Sequence, residues 1–120
     1  MDFEFKIEPK EQYNFIHFGG DLIEANQTND LLAQVDEHIN ESRINFIIDL
    51  HSIEYMNSTG LNILINILTK SRNAGGETVI ANIPEKVKQL MIITKLNTVF
   101  TVADTVQEAI DLLKKEESWL

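Results

Sequence analysis

No cysteine occurs among the 120 residues, which excludes disulfides, thiolate metal sites, cysteine nucleophiles and thiol redox switching together. Basic residues are also scarce: 10 Lys and Arg stand against 19 Asp and Glu, for a net charge of −9. Nucleic-acid binding starts with Lys and Arg neutralising phosphates, and here they are scattered, the pair Lys114-Lys115 being the longest basic run. No nucleic-acid partner is expected. Long apolar runs are missing as well. The most apolar stretch, Leu61 to Leu68, contains Asn62 and Asn66, whereas a membrane span needs ~20 mostly apolar residues. The start Met1-Asp2-Phe3-Glu4-Phe5-Lys6 does not pair a basic segment with an apolar run, as a signal peptide does. The expectation is a cytoplasmic protein with no membrane insertion.

Most enzyme signatures are absent too. A nucleophile elbow needs Gly-x-Ser-x-Gly, but the chain reads Met56-Asn57-Ser58-Thr59-Gly60, with Met in place of the first glycine. The two Gly-Gly pairs lack the following glycine or Gly-Lys of the phosphate-binding loops. His17, His38 and His51 show no metal-ligand spacing, so structural or surface roles are expected for them and no metal site. Asp21, Asp49 and Glu54 are carboxylates without an identifiable nucleophile to serve, and read as solvated loop and strand-end charges. No cofactor and no catalytic residue are expected.

What is present suits one domain over residues 1–120, at the usual ~100–200 residues per domain. With 43% hydrophobic residues the chain can build a core. Phe3, Phe5 and Ile7 alternate with charged residues up to Pro9, and Tyr13 to Phe18 follows after a short polar turn, which predicts an N-terminal hairpin. Gly19-Gly20-Asp21 is read as breaking the second strand. A helix carrying Leu31, Leu32, Val35 and Ile39 follows, with Asn26, Thr28 or Asn29 as its cap. Ile44 to Leu50 is apolar almost without alternation, as for a central strand covered on both faces.

His51 to Met56 reads as a loop, and a broadly apolar helix spans about Ser58 to Asn73, stopped by Gly75-Gly76. Thr78 to Ile83 is a strand. Pro84 opens a helix continuing to about Leu96, and Val99 to Val102 is a short strand. Thr105 and Glu108 form a capping-box pattern for a last helix carrying Val106, Ala109, Ile110 and Leu113, with a frayed tail from Lys114 to Leu120 and Trp119 unassigned. The fold class is therefore α/β, a mixed sheet with about four helices against it.

One segment carries a mechanism. Asn57-Ser58-Thr59-Gly60 stands where the long apolar helix begins, so Asn57 or Ser58 can cap backbone N–H groups that have no intrahelical partner. The same position suits a phosphate on Ser58, because free donors and the positive helix end favour an anion. Local chemistry leaves both readings open.

The run Asp49-Leu50-His51-Ser52-Ile53-Glu54-Tyr55-Met56-Asn57-Ser58-Thr59-Gly60-Leu61 resembles the signature of the STAS domain, specifically the bacterial anti-sigma-factor antagonists. In that family a core strand ends in Asp-Leu, and Met-Asp-Ser-Ser/Thr-Gly-Leu opens a helix. The resemblance extends from the first hairpin through Gly19-Gly20-Asp21-Leu22 to Leu96-Asn97-Thr98-Val99-Phe100 and Thr105-Val106-Gln107-Glu108-Ala109. It implies a single STAS-like domain whose Ser58, with Thr59 as the lesser candidate, is phosphorylated by a serine kinase that is also an anti-sigma factor. The unphosphorylated form binds that kinase and phosphorylation breaks the complex, regulating transcription by partner switching; a serine phosphatase is the other implied partner.

Two positions depart from the family pattern: Asn57 stands for the usual Asp, and Asn62 for a common glycine. The expected partner surface comprises Gly20, Asp21, Ile53, Glu54, Asn57, Ser58, Thr59, Gly60 and Asn62, on a monomer or weak dimer. A constitutive scaffold or transporter-associated subunit is the alternative that Asn57 and Asn62 suggest. An enzyme with Ser58 as nucleophile ranks last, because no motif places a general base.

Overall fold

The computed structural model describes residues 2–117. Five strands form one sheet in sequential order: β1 (Glu4–Pro9), β2 (Asn14–Leu22), β3 (Phe46–Met56), β4 (Thr78–Ala81) and β5 (Thr101–Ala103). The first two pair antiparallel, as the expected hairpin, and every later pair is parallel. The sheet is thus mixed, and β3 is its middle strand. Four α-helices alternate with the parallel strands: α1 (Asn29–Asn40), α2 (Ser58–Asn73), α3 (Glu85–Ile93) and α4 (Val106–Glu117), with a 3-10 turn at Ala25–Thr28 before α1.

Two apolar layers hold these elements. Ile16, Phe18, Phe46, Ile48 and Leu50 from one sheet face pack with Leu31 and Val35 of α1, Leu61, Leu64 and Leu68 of α2, and Val87 and Met91 of α3. On the other face Phe15, Ile47 and Val79 meet Ala109 and Leu113 of α4. Burial on both sides explains the unbroken apolar run of β3, since alternate residues enter different layers. β1 keeps the alternation of a half-covered strand: Phe5 and Ile7 lean on the first layer while Glu4 and Lys6 are exposed.

The largest difference from the sequence reading is at the carboxyl ends of β2 and β3. Gly19-Gly20-Asp21 does not break β2, and His51 to Met56 is strand rather than loop; Gly20 pairs with Ile53, Asp21 with Tyr55 and Leu22 with Met56. The register slips between His17 and Gly19 and again between Gly20 and Asp21. Such bulges bend the strand without ending it, and Gly20 supplies the φ of +79° that one of them requires. Buried Ile53 and Met56 reward the extension.

Smaller differences have local causes. Thr28 occupies the N-cap of α1, but its hydroxyl donates to the Ala25 carbonyl at 2.7 Å instead of capping, and neither Asn26 nor Asn29 takes that position. Pro84 is the N-cap of α3. That helix ends before Leu96 because Lys95 adopts φ +61°, and the Leu96 N–H donates back to the Met91 carbonyl at 2.8 Å, closing a Schellman turn. The following strand consequently starts at Thr101 rather than Val99. Thr105 accepts the Glu108 N–H at 3.2 Å, while the Glu108 carboxylate reaches the Asp104 N–H, one residue before the box position. α4 continues through Lys114 to Glu117, past the point where fraying was expected, and Trp119 lies outside the described residues.

Candidate functional site

β2 to β5 run parallel, so their carboxyl ends share one edge of the molecule, the edge where open α/β sheets bind ligands and partners. α2 begins there, separated from the end of β3 by one residue. Asn57 is that linking residue and the N-cap: its Oδ1 accepts the Gly60 N–H at 3.2 Å, and its backbone carbonyl accepts the Leu61 N–H at 3.1 Å. Of the N–H groups of Ser58, Thr59 and Gly60, which have no intrahelical partner, only that of Gly60 finds an acceptor among the described residues. Ser58 is exposed and Thr59 half-buried.

Gly60 is a point of close approach between α2 and the sheet. A Cβ there would fall on Met56 Cγ and lie 2.9 Å from the Leu22 carbonyl oxygen. Only glycine lets α2 approach the ends of β2 and β3 this closely. The backbone at Ser58 is thereby held against the sheet edge.

Gly20, Asp21, Ile53, Glu54, Asn57, Ser58, Thr59, Gly60 and Asn62 all lie at this end of the molecule, but they present different things. Asn62, Glu54 and Ser58 are exposed; Asp21, Asn57 and Thr59 are half-buried; Gly20, Gly60 and Ile53 are buried, the last only 6% exposed and part of the core. A surface role for Ile53 is therefore confined to its backbone in this conformation. Two exposed apolar residues were missed: Tyr55 is 58% and Ile23 37% exposed. Tyr55 fell in the segment read as a loop, and Ile23 follows the supposed strand break; only the pairing of β2 with β3 brings them to this edge.

Chemistry elsewhere is structural. Asp49 is not a solvated charge: it accepts the His51 N–H at 2.9 Å and the Asn82 amide at 3.1 Å, and lies 3.4 Å from His17 Nδ1. These bonds secure strand ends. The Ser58 hydroxyl has no acid or base hydrogen-bonded to it among the described residues, so the nucleophile reading gains no partner. No group of three or more His, Asp or Glu poised to hold a metal occurs among the described residues. A cleft of about 660 Å³ lined by Tyr13, Arg43, Ile44, Gly76 and Leu113 lies at the opposite end of the sheet. No described helix is long and apolar enough to cross a membrane.

Residues 6–109 match the family model described as the STAS domain. A Thermotoga maritima protein assigned as an anti-sigma factor antagonist is 26% identical over 81 residues, 68% of this chain and 72% of that one. Among solved structures, a Thermotoga maritima protein with the same assignment superposes with a TM-score of 0.79 at 21% identity, covering 92% of this chain and 94% of that one. The unphosphorylated anti-sigma factor antagonist SpoIIAA superposes with a TM-score of 0.73 at 18% identity, over 92% of this chain and 98% of its own. The Bacillus cell fate determinant SpoIIAA in its phosphorylated form gives a TM-score of 0.70 at 19% identity, covering 90% of this chain and 97% of that one.

Proposed function

The chain belongs to the STAS domain family, and from that premise we propose that it is a non-enzymatic anti-sigma-factor antagonist switched at Ser58. Unphosphorylated, it binds a serine kinase that is also an anti-sigma factor; phosphorylation of Ser58 ends the complex, and a serine phosphatase restores it. The chain acts in the bacterial cytoplasm and regulates transcription by this exchange of partners. The kinase brings the ATP and Mg²⁺, and this chain contributes the acceptor hydroxyl. The observation that carries the reading is the exposed Ser58 at the first position of α2, beside N–H groups with no acceptor among the described residues. SpoIIAA, whose fold this chain shares, exists in both phosphorylation states.

Phosphorylation adds roughly −1.5 to −2 charges and three acceptor oxygens. At the start of α2 the free donors and the helix dipole stabilise that anion without refolding the helix. A partner seated on this edge meets both new bulk and new charge. Incubated with its kinase and ATP, the protein should acquire one phosphate, mapped to Ser58, and lose affinity for the kinase. Equal phosphorylation of Ser58→Ala refutes the assignment, with Thr59 the first alternative to map. Copurification with a transporter, and no phosphate under any condition, would instead favour the scaffold reading that Asn57 and Asn62 suggested.

A further inference from the structure

Ile23 lies outside every helix and strand, yet two side-chain amides hold its backbone. Its N–H donates to Gln27 Oε1 at 3.1 Å, and its carbonyl accepts from Asn57 Nδ2 at 3.1 Å. Gln27 Oε1 also takes the Glu24 N–H at 2.9 Å, and Gln27 Nε2 donates to the Asp21 carbonyl at 3.2 Å. Asn57 joins this turn to α2, because its other amide atom accepts the Gly60 N–H. A carboxylate at position 57 would keep that cap but have no proton to donate to the Ile23 carbonyl.

The side chain held in this way does not turn into the core. Leu22 before it is fully buried, whereas Ile23 is 37% exposed. Pairing of Leu22 with Met56 sets Ile23 beside Asn57, the residue preceding Ser58, and Tyr55 lies two positions before Asn57 on β3. Asp21 and Glu24 lie within two residues of Ile23 in the chain and Glu54 adjoins Tyr55, and all three are acidic. An apolar side chain on an immobilised backbone loses little further entropy on binding, which is the property of an interface anchor.

We propose that Ile23, with Tyr55 beside it, is the apolar anchor of the Ser58 surface, and that Gln27 and Asn57 are positioning residues that hold it out for docking. The occupant is an apolar pocket rimmed by Lys and Arg on the serine kinase, complementary to the acidic residues around Ile23. This rests on the proposed function, since it names how that partner is held.

Calorimetric titration of the full chain with the kinase that phosphorylates Ser58 tests it. Ile23→Ala should weaken binding about tenfold or more while leaving the melting temperature nearly unchanged, and Ile23→Val should keep most of the affinity. Gln27→Ala leaves the anchor side chain in place but frees its backbone. It should speed hydrogen exchange at the Ile23 and Glu24 amides and weaken binding, a pairing that Ile23→Ala does not show. If Ile23→Ala binds within about twofold of the parent while Ser58→Asp has lost binding, the anchor is refuted and the phosphorylation switch stands. If the parent protein neither binds the kinase nor is phosphorylated, the functional reading fails and the anchor falls with it.

Discussion

At Asn57 a single amide performs two tasks that a carboxylate cannot perform together. It caps α2 through its oxygen and holds the β2 end through its nitrogen. Asn57→Ala removes both bonds and should cost about 1 kcal/mol for the lost cap, read by urea denaturation. Gly60→Ala should cost more, about 1–3 kcal/mol, because the added methyl is driven into Met56 and the Leu22 carbonyl. Its measured effect separates close approach from simple helix propensity, under which alanine would stabilise α2. The residue types alone narrowed the cap to Asn57 or Ser58, and the structure assigns it to Asn57. The contact that forces glycine at 60 was not legible in them, since it involves a carbonyl from a strand far back in the chain.

Among the elements, the terminal turns of α3 and the first hairpin make the clearest predictions. Lys95 holds a left-handed conformation, φ +61°, in the Schellman turn after α3, where glycine carries no Cβ penalty. Lys95→Gly should therefore stabilise the fold by about 0.5–1 kcal/mol, net of greater freedom in the unfolded chain, visible as a raised melting temperature. In the hairpin, the Lys6 ammonium foremost, and Lys10 after it, hold the Glu8 carboxyl below its ordinary value, with ion-pair distances of 3.2 and 3.3 Å.

A carboxyl lowered in the folded state stabilises fully above its unfolded value, and that contribution disappears as pH falls through the lowered one. Glu8→Gln should consequently narrow the difference between melting temperatures at neutral and acid pH. The effect is small because Glu8 is exposed to solvent screening. The hairpin and α2 were readable from periodicity, and the central strand from its unbroken apolar run, which burial on both faces requires. The lengths of β2 and β3 were not, because glycine and polar residues end a strand in isolation but are carried through it by a neighbour.

Over the whole molecule, the charge of −9 would change only to about −11 on phosphorylation. A switch of that size must act through position, at the one edge where α2 and the strand ends converge. The acidic surface does predict a salt effect: association with a basic partner face should slow as ionic strength rises, screening the steering field beyond about 8–10 Å. Stopped-flow mixing at several salt concentrations measures this directly. Core and site should also separate experimentally. Ile48→Ala, at a fully buried position, should cost about 2–5 kcal/mol of stability. Glu54→Ala should leave stability nearly unchanged and alter partner association.

By itself the chain's order of residues determined the α/β class, the hairpin, the central strand and α2 from Ser58 to Asn73; Ser58 stood out only through the family resemblance of its motif. The class and its elements follow from short-range rules, the partition of side chains by period and the chemistry of helix starts. Tertiary structure decided that β2 and β3 run on past the glycines, that Gly60 is a point of close approach, that Ile53 is core, and that the Ile23 backbone is tied to Asn57. Each depends on groups distant in sequence, as Asn57 and Ile23 are at a separation of 34 residues. A long-range hydrogen bond leaves no periodic trace in composition, so only the folded backbone, bringing both ends together, reveals it.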